Sequence, residues 1–180
     1  MRVIKENTIS LLIDVQERLF PHIHEHVTLK KNLEILLAGL KTLNVPVIVT
    51  EQYKKGLGET IDDIEVLVEQ CPHAEKVAFS CCDEPGVIEK IEISTKRFVI
   101  IAGIESHICV LQTAIDLKER GFTPVVVEDC VGSRTAENKR IAMDRLRQEE
   151  VIVTSYESIL FELCRKAGTD AFKTISKLVK

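Results

Sequence analysis

The chain has 180 residues, of which 45% are hydrophobic and 29% charged, and its formal net charge at pH 7 is −4. This is the composition of a globular protein, and it excludes a disordered tail, a collagen-like rod and a bundle of membrane spans. The acidic balance and the aromatic content of 4%, with no Trp, argue against nucleic acid as a partner. The length suits one domain, which we expect to span residues 1–180.

Apolar runs of strand type alternate along the chain with segments of helical periodicity. The predicted strands are Thr8–Ile13, Val45–Thr50, Lys76–Phe79, Phe98–Ala102, Thr123–Glu128 and Val151–Val153. The predicted helices are Leu29–Leu43, His107–Arg120, Thr135–Gln148 with Thr135 as N-cap, one that begins at Ser155 or Ser158, and Thr169–Lys180. The stretch Glu51–Pro72 is predicted to be a long irregular loop, a kind that is usually functional.

Strands that are apolar on both faces and alternate with helices are typical of a parallel sheet covered on both sides. We therefore predict an α/β protein of three layers, α/β/α, with a six-stranded parallel sheet and right-handed crossovers. Ligands of such sheets bind beyond the carboxyl ends of the strands, so the polar residues at those ends are the candidates for function.

The six cysteines are interpreted as free thiols, because no pair has the C-x-x-C spacing of a zinc ribbon or a redox motif. Disulfide frameworks are typical of short secreted chains, and this chain is long enough to bury a core without one. Its first 14 residues lack a signal-peptide pattern, and no stretch reaches the ~20 apolar residues of a membrane span. We expect a cytoplasmic protein with no membrane partner, in which most cysteines are small core residues.

Cys109 is the candidate nucleophile, because it follows the fourth predicted strand at a turn into a helix. Unpaired N–H groups and the positive end of the helix dipole are expected there to lower the pKa of the thiol and to receive an oxyanion. A buried core thiol is the alternative interpretation.

Asp14 and Lys76 are the candidate partners of this thiol. Asp14 ends the first strand, where burial would raise the pKa of its carboxyl and let it accept a thiol proton; a helix N-cap is the alternative. Lys76 opens the third apolar run and is by default a surface lysine. Pointing inward beside Asp14 and Cys109, it would stabilise a thiolate or a developing oxyanion.

The sequence resembles the isochorismatase-like cysteine hydrolases, in particular the isochorismatase domain-containing proteins. The segments that carry the resemblance are Leu12–Gln16 (LIDVQ), Thr50–Gly58 (TEQYKKGLG), Glu75–Ser80 (EKVAFS), Ala102–Val110 (AGIESHICV) and Glu128–Arg134 (EDCVGSR). Each is weak alone, but their order and spacing across about Thr8 to Leu163 are specific. The resemblance implies the Rossmann-like isochorismatase fold and a homo-oligomer, a dimer or larger.

The resemblance also implies a catalytic triad of Asp14, Lys76 and Cys109. It further implies a cis peptide between Ile104 and Glu105, which turns the N–H of Glu105 toward the site to form an oxyanion hole with the N–H of Cys109. Asp14 would take the thiol proton and Cys109 would attack an amide carbonyl of a small-molecule substrate. Amine would then leave, and water would hydrolyse the thioester.

The substrate pocket is predicted to be lined by Phe20, Tyr53 and Ile108, which suits a small, partly apolar molecule. Three alternatives to an amide hydrolase stay open. One is a binding protein that kept the fold without turnover, since fold does not fix function. Another is a vinyl-ether hydrolase, as true isochorismatases are, which needs a proton donor and no thiol. The third, a ribonuclease, is disfavoured by the net charge of −4.

No metal or cofactor is predicted. The nicotinamidases of the family carry a metal site of Asp and His on the loop after the second strand, and here that loop reads EQYK at Glu51–Lys54. The alternating His22, His24 and His26 have no carboxylate spaced to complete a site.

Overall fold

Six parallel strands form one sheet in the computed structural model, which describes all 180 residues. The strands are β1 (Thr8–Ile13), β2 (Val47–Gln52), β3 (His73–Lys76), β4 (Phe98–Ile104), β5 (Thr123–Gly132) and β6 (Ile152–Thr154). Their order is β3-β2-β1-β4-β5-β6, and every neighbouring pair is parallel. The order reverses between β1 and β4, which is the point where sheets of this kind bind ligands.

Eight α-helices cover the sheet: α1 (His26–Thr42), α2 (Lys54–Leu57), α3 (Asp62–Val68), α4 (Pro85–Ile93), α5 (Leu111–Glu119), α6 (Ala136–Gln148), α7 (Tyr156–Cys164) and α8 (Asp170–Leu178). Alternate strand residues enter two hydrophobic clusters, one with α1, α7 and α8 and the other with α4, α5 and α6. The predicted three-layer α/β/α fold is therefore confirmed. No helix is both long and apolar enough to cross a membrane.

The prediction of a strand at Lys76–Phe79 is wrong, because β3 ends where that strand was expected to start. The ladder with β2 runs from His73 to Lys76, and the apolar Val77 and Phe79 that suggested a strand are 72% and 55% exposed. The prediction of an irregular Glu51–Pro72 is also wrong, since α2 and α3 lie within it. Helices as short as α2 and α3 contain too few turns for their hydrophobic periodicity to be recognised in the sequence.

The helix ends agree with the capping chemistry of the sequence. The Thr135 hydroxyl accepts a hydrogen bond from the N–H of Asn138, as predicted. Ser155, rather than Ser158, begins α7, because its hydroxyl accepts from the N–H of Ser158. The helix predicted from His107 starts instead as a π-helical turn, Ser106–Val110, that continues into α5, and α4 was not predicted. π-Turns of this kind are frequent at functional sites.

Candidate active site

Asp14 is the first residue after β1, and it is fully buried at the switch point of the sheet. Its backbone is left-handed, with φ of 55°, a conformation that Asp tolerates better than most residues. Two contacts with Thr50 at the end of β2 fix it. The N–H of Asp14 donates to the Thr50 carbonyl at 3.0 Å, and the Thr50 hydroxyl donates to Asp14 Oδ1 at 2.7 Å.

Gly103 lets β4 approach this position. Its φ is +114°, and a Cβ atom built on it would lie 2.1 Å from the carbonyl oxygen of Ile13. A side chain at residue 103 would therefore push β4 away from the end of β1. The glycine keeps Asp14 next to the turn that follows β4.

Lys76, the last residue of β3, points inward and forms an ion pair with Asp14. The Lys76 Nζ atom lies 2.7 Å from Asp14 Oδ2, and neither side chain is exposed. The ammonium also donates to Gln52 Oε1 at 2.5 Å and to the carbonyl oxygens of Ala78 and Phe79, both at 3.2 Å. An ammonium has three protons, so its donor capacity is used within the protein. The interpretation of Lys76 as a surface lysine is thereby excluded.

Burial and pairing have opposite effects on these two groups. Burial raises the pKa of the Asp14 carboxyl above its usual value, although Lys76, Thr50 and the Cys109 thiol all act to lower it. Burial lowers the pKa of Lys76. Asp14 and the thiols of Cys109 and Cys81 raise it by more than burial lowers it, so the net shift is upward. Lys76 therefore carries its charge at neutral pH.

Cys109 lies in the π-turn after β4 and is 7% exposed. Burial raises the pKa of its thiol to about 12; the Asp14 carboxylate adds to this effect, and the Lys76 ammonium opposes it. The expectation of a lowered pKa at this position is wrong, because removal of the thiolate from water outweighs the favourable charges around it. The resting thiol is neutral at pH 7.

The two carboxyl oxygens of Asp14 differ in their contacts. Thr50 occupies Oδ1, whereas Oδ2 makes no polar contact other than the ion pair with Lys76. The Cys109 thiol and the Asp14 carboxyl each affect the pKa of the other, so the two groups lie near one another. The three residues singled out in the sequence are therefore brought together at one point.

The peptide bond between Ile104 and Glu105 is cis. The carbonyl oxygen of Glu105 accepts from the N–H groups of Ile108 and Val110, whereas its own N–H donates to no protein acceptor. The Glu105 side chain is turned away to Arg134, whose Nε lies 2.9 Å from Oε1. A free backbone donor thus lies at the start of the turn that carries the thiol.

The three residues predicted to line the pocket have different positions. Phe20 is 4% exposed and packs in the cluster with α1, edge-on to the ring of His26. Tyr53 is 52% exposed, and its N–H donates to the Lys76 carbonyl at 2.9 Å. Ile108 is half-buried in the turn that carries Cys109. Tyr53 and Ile108 therefore keep solvent-accessible surface, whereas Phe20 keeps almost none.

Four residues around Asp14, Lys76 and Cys109 were given no role from the sequence: Thr50, Gln52, Gln16 and Cys81. Cys81 is fully buried, and the pKa of its thiol is raised to about 11 by burial and by Asp14. The position of Gln52 after the second predicted strand placed it among the candidate residues, but its contact with Lys76 was not predicted. No group of three or more His, Cys, Asp or Glu side chains is arranged to hold a metal ion.

Comparison with known proteins identifies the chain's relatives. A family model of the isochorismatase domain matches residues 8–158. The chain is 36% identical to the secreted isochorismatase effector Isc1 of Phytophthora sojae, over 99% of this chain and 87% of that protein. It is 33% identical to a structure described as MAR1 ribonuclease from Caenorhabditis elegans, with a TM-score of 0.92 over 99% of this chain and 92% of the other.

A second solved structure shares the fold at lower identity. The YcaC gene product of Escherichia coli, described as an octameric hydrolase of unknown specificity, is 23% identical with a TM-score of 0.93, over 99% of this chain and 90% of the other. The family model covers most of the chain, and the similarity to the Phytophthora protein extends over nearly all of it. The chain therefore belongs to the isochorismatase family.

Proposed function

We propose that this protein is a cysteine hydrolase that cleaves the C–N bond of a small amide through a thioester on Cys109. One observation carries the proposal. A buried carboxyl group, Asp14, lies near the neutral Cys109 thiol, and its Oδ2 makes no polar contact other than the ion pair with the Lys76 ammonium, 2.7 Å away. A thiol with a base nearby is the arrangement that nucleophilic catalysis requires.

The first half of the reaction transfers the acyl group to sulfur. Asp14 Oδ2 takes the proton of the Cys109 thiol as the sulfur attacks the carbonyl carbon. The free N–H of Glu105 and the N–H of Cys109 receive the oxyanion of the tetrahedral intermediate. The intermediate collapses when the C–N bond breaks and Asp14 returns its proton to the leaving amine. Water, deprotonated by Asp14, then hydrolyses the thioester, and the thiol recovers its proton.

Lys76 acts in this scheme through its charge. Four oxygen atoms surround its ammonium, so a hydrogen bond to the substrate would require the loss of an existing one. Its positive charge acts against the effect of burial by lowering the pKa of Asp14, and it favours the thiolate that forms at Cys109 during attack. This role replaces the direct contact with the oxyanion that the sequence had suggested.

The substrate is small and partly apolar in this proposal. Cys109 is 7% exposed, so only a slender acyl group reaches the sulfur, and the adjacent surface is that of Tyr53 and Ile108. We further propose that the protein is cytoplasmic, uses no cofactor and forms a homo-oligomer, as the octameric relative does. If the protein were instead a binding protein without turnover or a vinyl-ether hydrolase, it would release no ammonia from amides.

RNA cleavage is the second candidate, because a relative at 33% identity is described as a ribonuclease. The charge of the chain favours amide hydrolysis. The net charge is −4, and the cation next to the site, Arg134, is paired with Glu105. RNA binding requires unpaired cations that replace the counterions of the phosphates.

The test is ammonia release from a panel of small primary amides, acetamide, isobutyramide, benzamide and nicotinamide, with a labelled single-stranded RNA assayed in parallel. We expect hydrolysis of at least one amide by the native protein and none by Cys109→Ala. Cys164→Ala, which removes a half-buried thiol outside the site, is the matched control and should keep full activity. Equal amide hydrolysis by Cys109→Ala, or RNA cleavage that persists through purification in the native protein and is lost in that variant, would contradict the proposal.

A further inference from the structure

Gln52 is the polar side chain closest to the Lys76 ammonium. Its Oε1 lies 2.5 Å from Lys76 Nζ, and its Nε2 donates to the carbonyl oxygen of Val77 at 2.6 Å. The two contacts fix the orientation of the amide, because a flipped amide would place an NH₂ group against the ammonium and an oxygen against a carbonyl. The Gln52 side chain thus spans from the end of β2 to the residue that follows β3.

Gln16 holds the backbone of Gln52 in turn. Its Oε1 accepts from the N–H of Gln52 at 2.7 Å, and its Nε2 donates to the Gln52 carbonyl at 3.0 Å and to the Gly58 carbonyl at 2.7 Å. Gln16 is fully buried, and every one of these groups is paired. The chain of contacts therefore runs from Gln16 through Gln52 to Lys76 and ends at Asp14.

We propose that Gln52 is a positioning residue that holds the Lys76 ammonium against Asp14 and supplies it with a neutral acceptor instead of a second carboxylate. The inference rests on the proposed function, because it assigns a role for that position of Lys76. The ionisable groups that face Lys76 are Asp14, Cys109 and Cys81. With a neutral Gln52, the cluster holds one positive and one negative charge while the thiols are protonated.

The neutrality of Gln52 matters for the nucleophile. A carboxylate at position 52 would compete with Asp14 for the ammonium and would leave the cluster with a net negative charge. Formation of a second anion at Cys109 would then be opposed. Loss of the acceptor, in contrast, would remove a hydrogen bond that is stronger to the charged than to the neutral form of Lys76, so the lysine would lose its proton more easily.

The test measures the reactivity of Cys109 itself and needs no substrate. The half-buried Cys71 and Cys164 are replaced by serine in all proteins, because they would react first with iodoacetamide. The rate of Cys109 alkylation is then followed between pH 6.5 and 9.5 by peptide mapping, for Gln52→Glu and Gln52→Met. Gln70→Glu, the same change at an exposed glutamine, is the matched control.

We expect Gln52→Glu to slow Cys109 alkylation at least tenfold at every pH, since one unit in a thiol pKa is a tenfold change in thiolate. In Gln52→Met, the rise of rate with pH should flatten within this range, because Lys76 loses its charge sooner, whereas the rate of the parent, in which the pKa of Lys76 is raised above 10.5, should still be rising at pH 9.5. Profiles of both variants that match the parent within twofold would overturn the role of Gln52. That outcome is distinct from failure of the proposed function, which is decided by ammonia release from Cys109→Ala.

Discussion

The ammonium of Lys76 and the carboxylate of Asp14 lie 2.7 Å apart, and neither side chain reaches solvent. A buried pair of this kind contributes little net stability, because the cost of removing two charges from water offsets their attraction. Its value in the proposed function lies in the ion-paired carboxyl group that it places near the neutral Cys109 thiol. Substitutions at the two residues separate that catalytic role from a structural one.

Replacement of Asp14 by Asn should change thiol reactivity and turnover in opposite directions. The carboxylate raises the pKa of Cys109, so its removal should lower that pKa and speed alkylation by iodoacetamide at pH 8 about tenfold. Amide hydrolysis should fall by at least 10²-fold, because the variant has no general base. Both rates are measured on the same preparation, and a parallel fall of the two would indicate a role for Asp14 in folding alone.

Replacement of Lys76 by Met should destabilise the protein by about 3–5 kcal/mol, because the Asp14 carboxylate would be left buried without its counterion. The double variant Asp14→Asn/Lys76→Met should recover a large part of that loss, since it holds no unpaired charge. Urea unfolding of the two single variants and the double variant measures the coupling directly. Additive losses across this cycle would be inconsistent with the ion pair.

Gly103→Ala should destabilise the protein by about 3 kcal/mol or more, because the added Cβ atom would lie 2.1 Å from the Ile13 carbonyl oxygen at a φ of +114°. The matched control is Gly86→Ala, at an exposed glycine of α4 where a Cβ atom meets nothing within 4 Å. That change should be neutral or stabilising by up to about 1 kcal/mol. Equal unfolding midpoints for the two variants would contradict the close approach of β4 to β1.

Glu51 should make stability depend on pH in the acidic range. Burial raises the pKa of its carboxyl, but the N–H of Thr60 and the ammonium of Lys54 lower it more, and the net shift is downward from 4.5. A carboxyl with a depressed pKa stabilises the fold above its unfolded value, and this contribution is lost as the pH falls through the lower, folded value. Glu51→Gln should therefore lose about 1–2 kcal/mol at pH 7 and less at pH 3. The exposed Glu69→Gln serves as control, and the same pH dependence in both variants would refute the assignment.

The hydrophobic pattern of the sequence was sufficient to predict the fold and its central strands, but not the bounds of the edge strand β3. The apolar runs of β1 and β4 predicted buried central strands, because both faces of those strands lie in the core. The edge strand β3 is polar except at Ala74, so the apolar Val77 and Phe79 drew the prediction past its end. Edge strands depend on pairing with one neighbour, which hydropathy does not report.

Some features of the candidate site could also be predicted from the sequence, and others could not. Position at the carboxyl ends of strands identified Asp14 and Cys109, because that rule follows from the topology of a parallel sheet. The neutral state of the Cys109 thiol was not accessible from sequence, since it depends on how completely the chain removes the sulfur from water. Gln52 is also at such a strand end, but its role could not be predicted because it is defined by the group it touches, Lys76, which is 24 residues away in the chain.

The most direct test of the central claim is the mass of the enzyme during turnover. The native protein is mixed with an amide that it hydrolyses, quenched in acid within milliseconds to seconds, and mapped by peptide mass spectrometry. The account predicts a transient acyl adduct on the peptide that contains Cys109, which is absent from the other five cysteines and from Cys109→Ala. Turnover with no acyl adduct at Cys109, in the presence of full hydrolysis by Cys109→Ala, would contradict it.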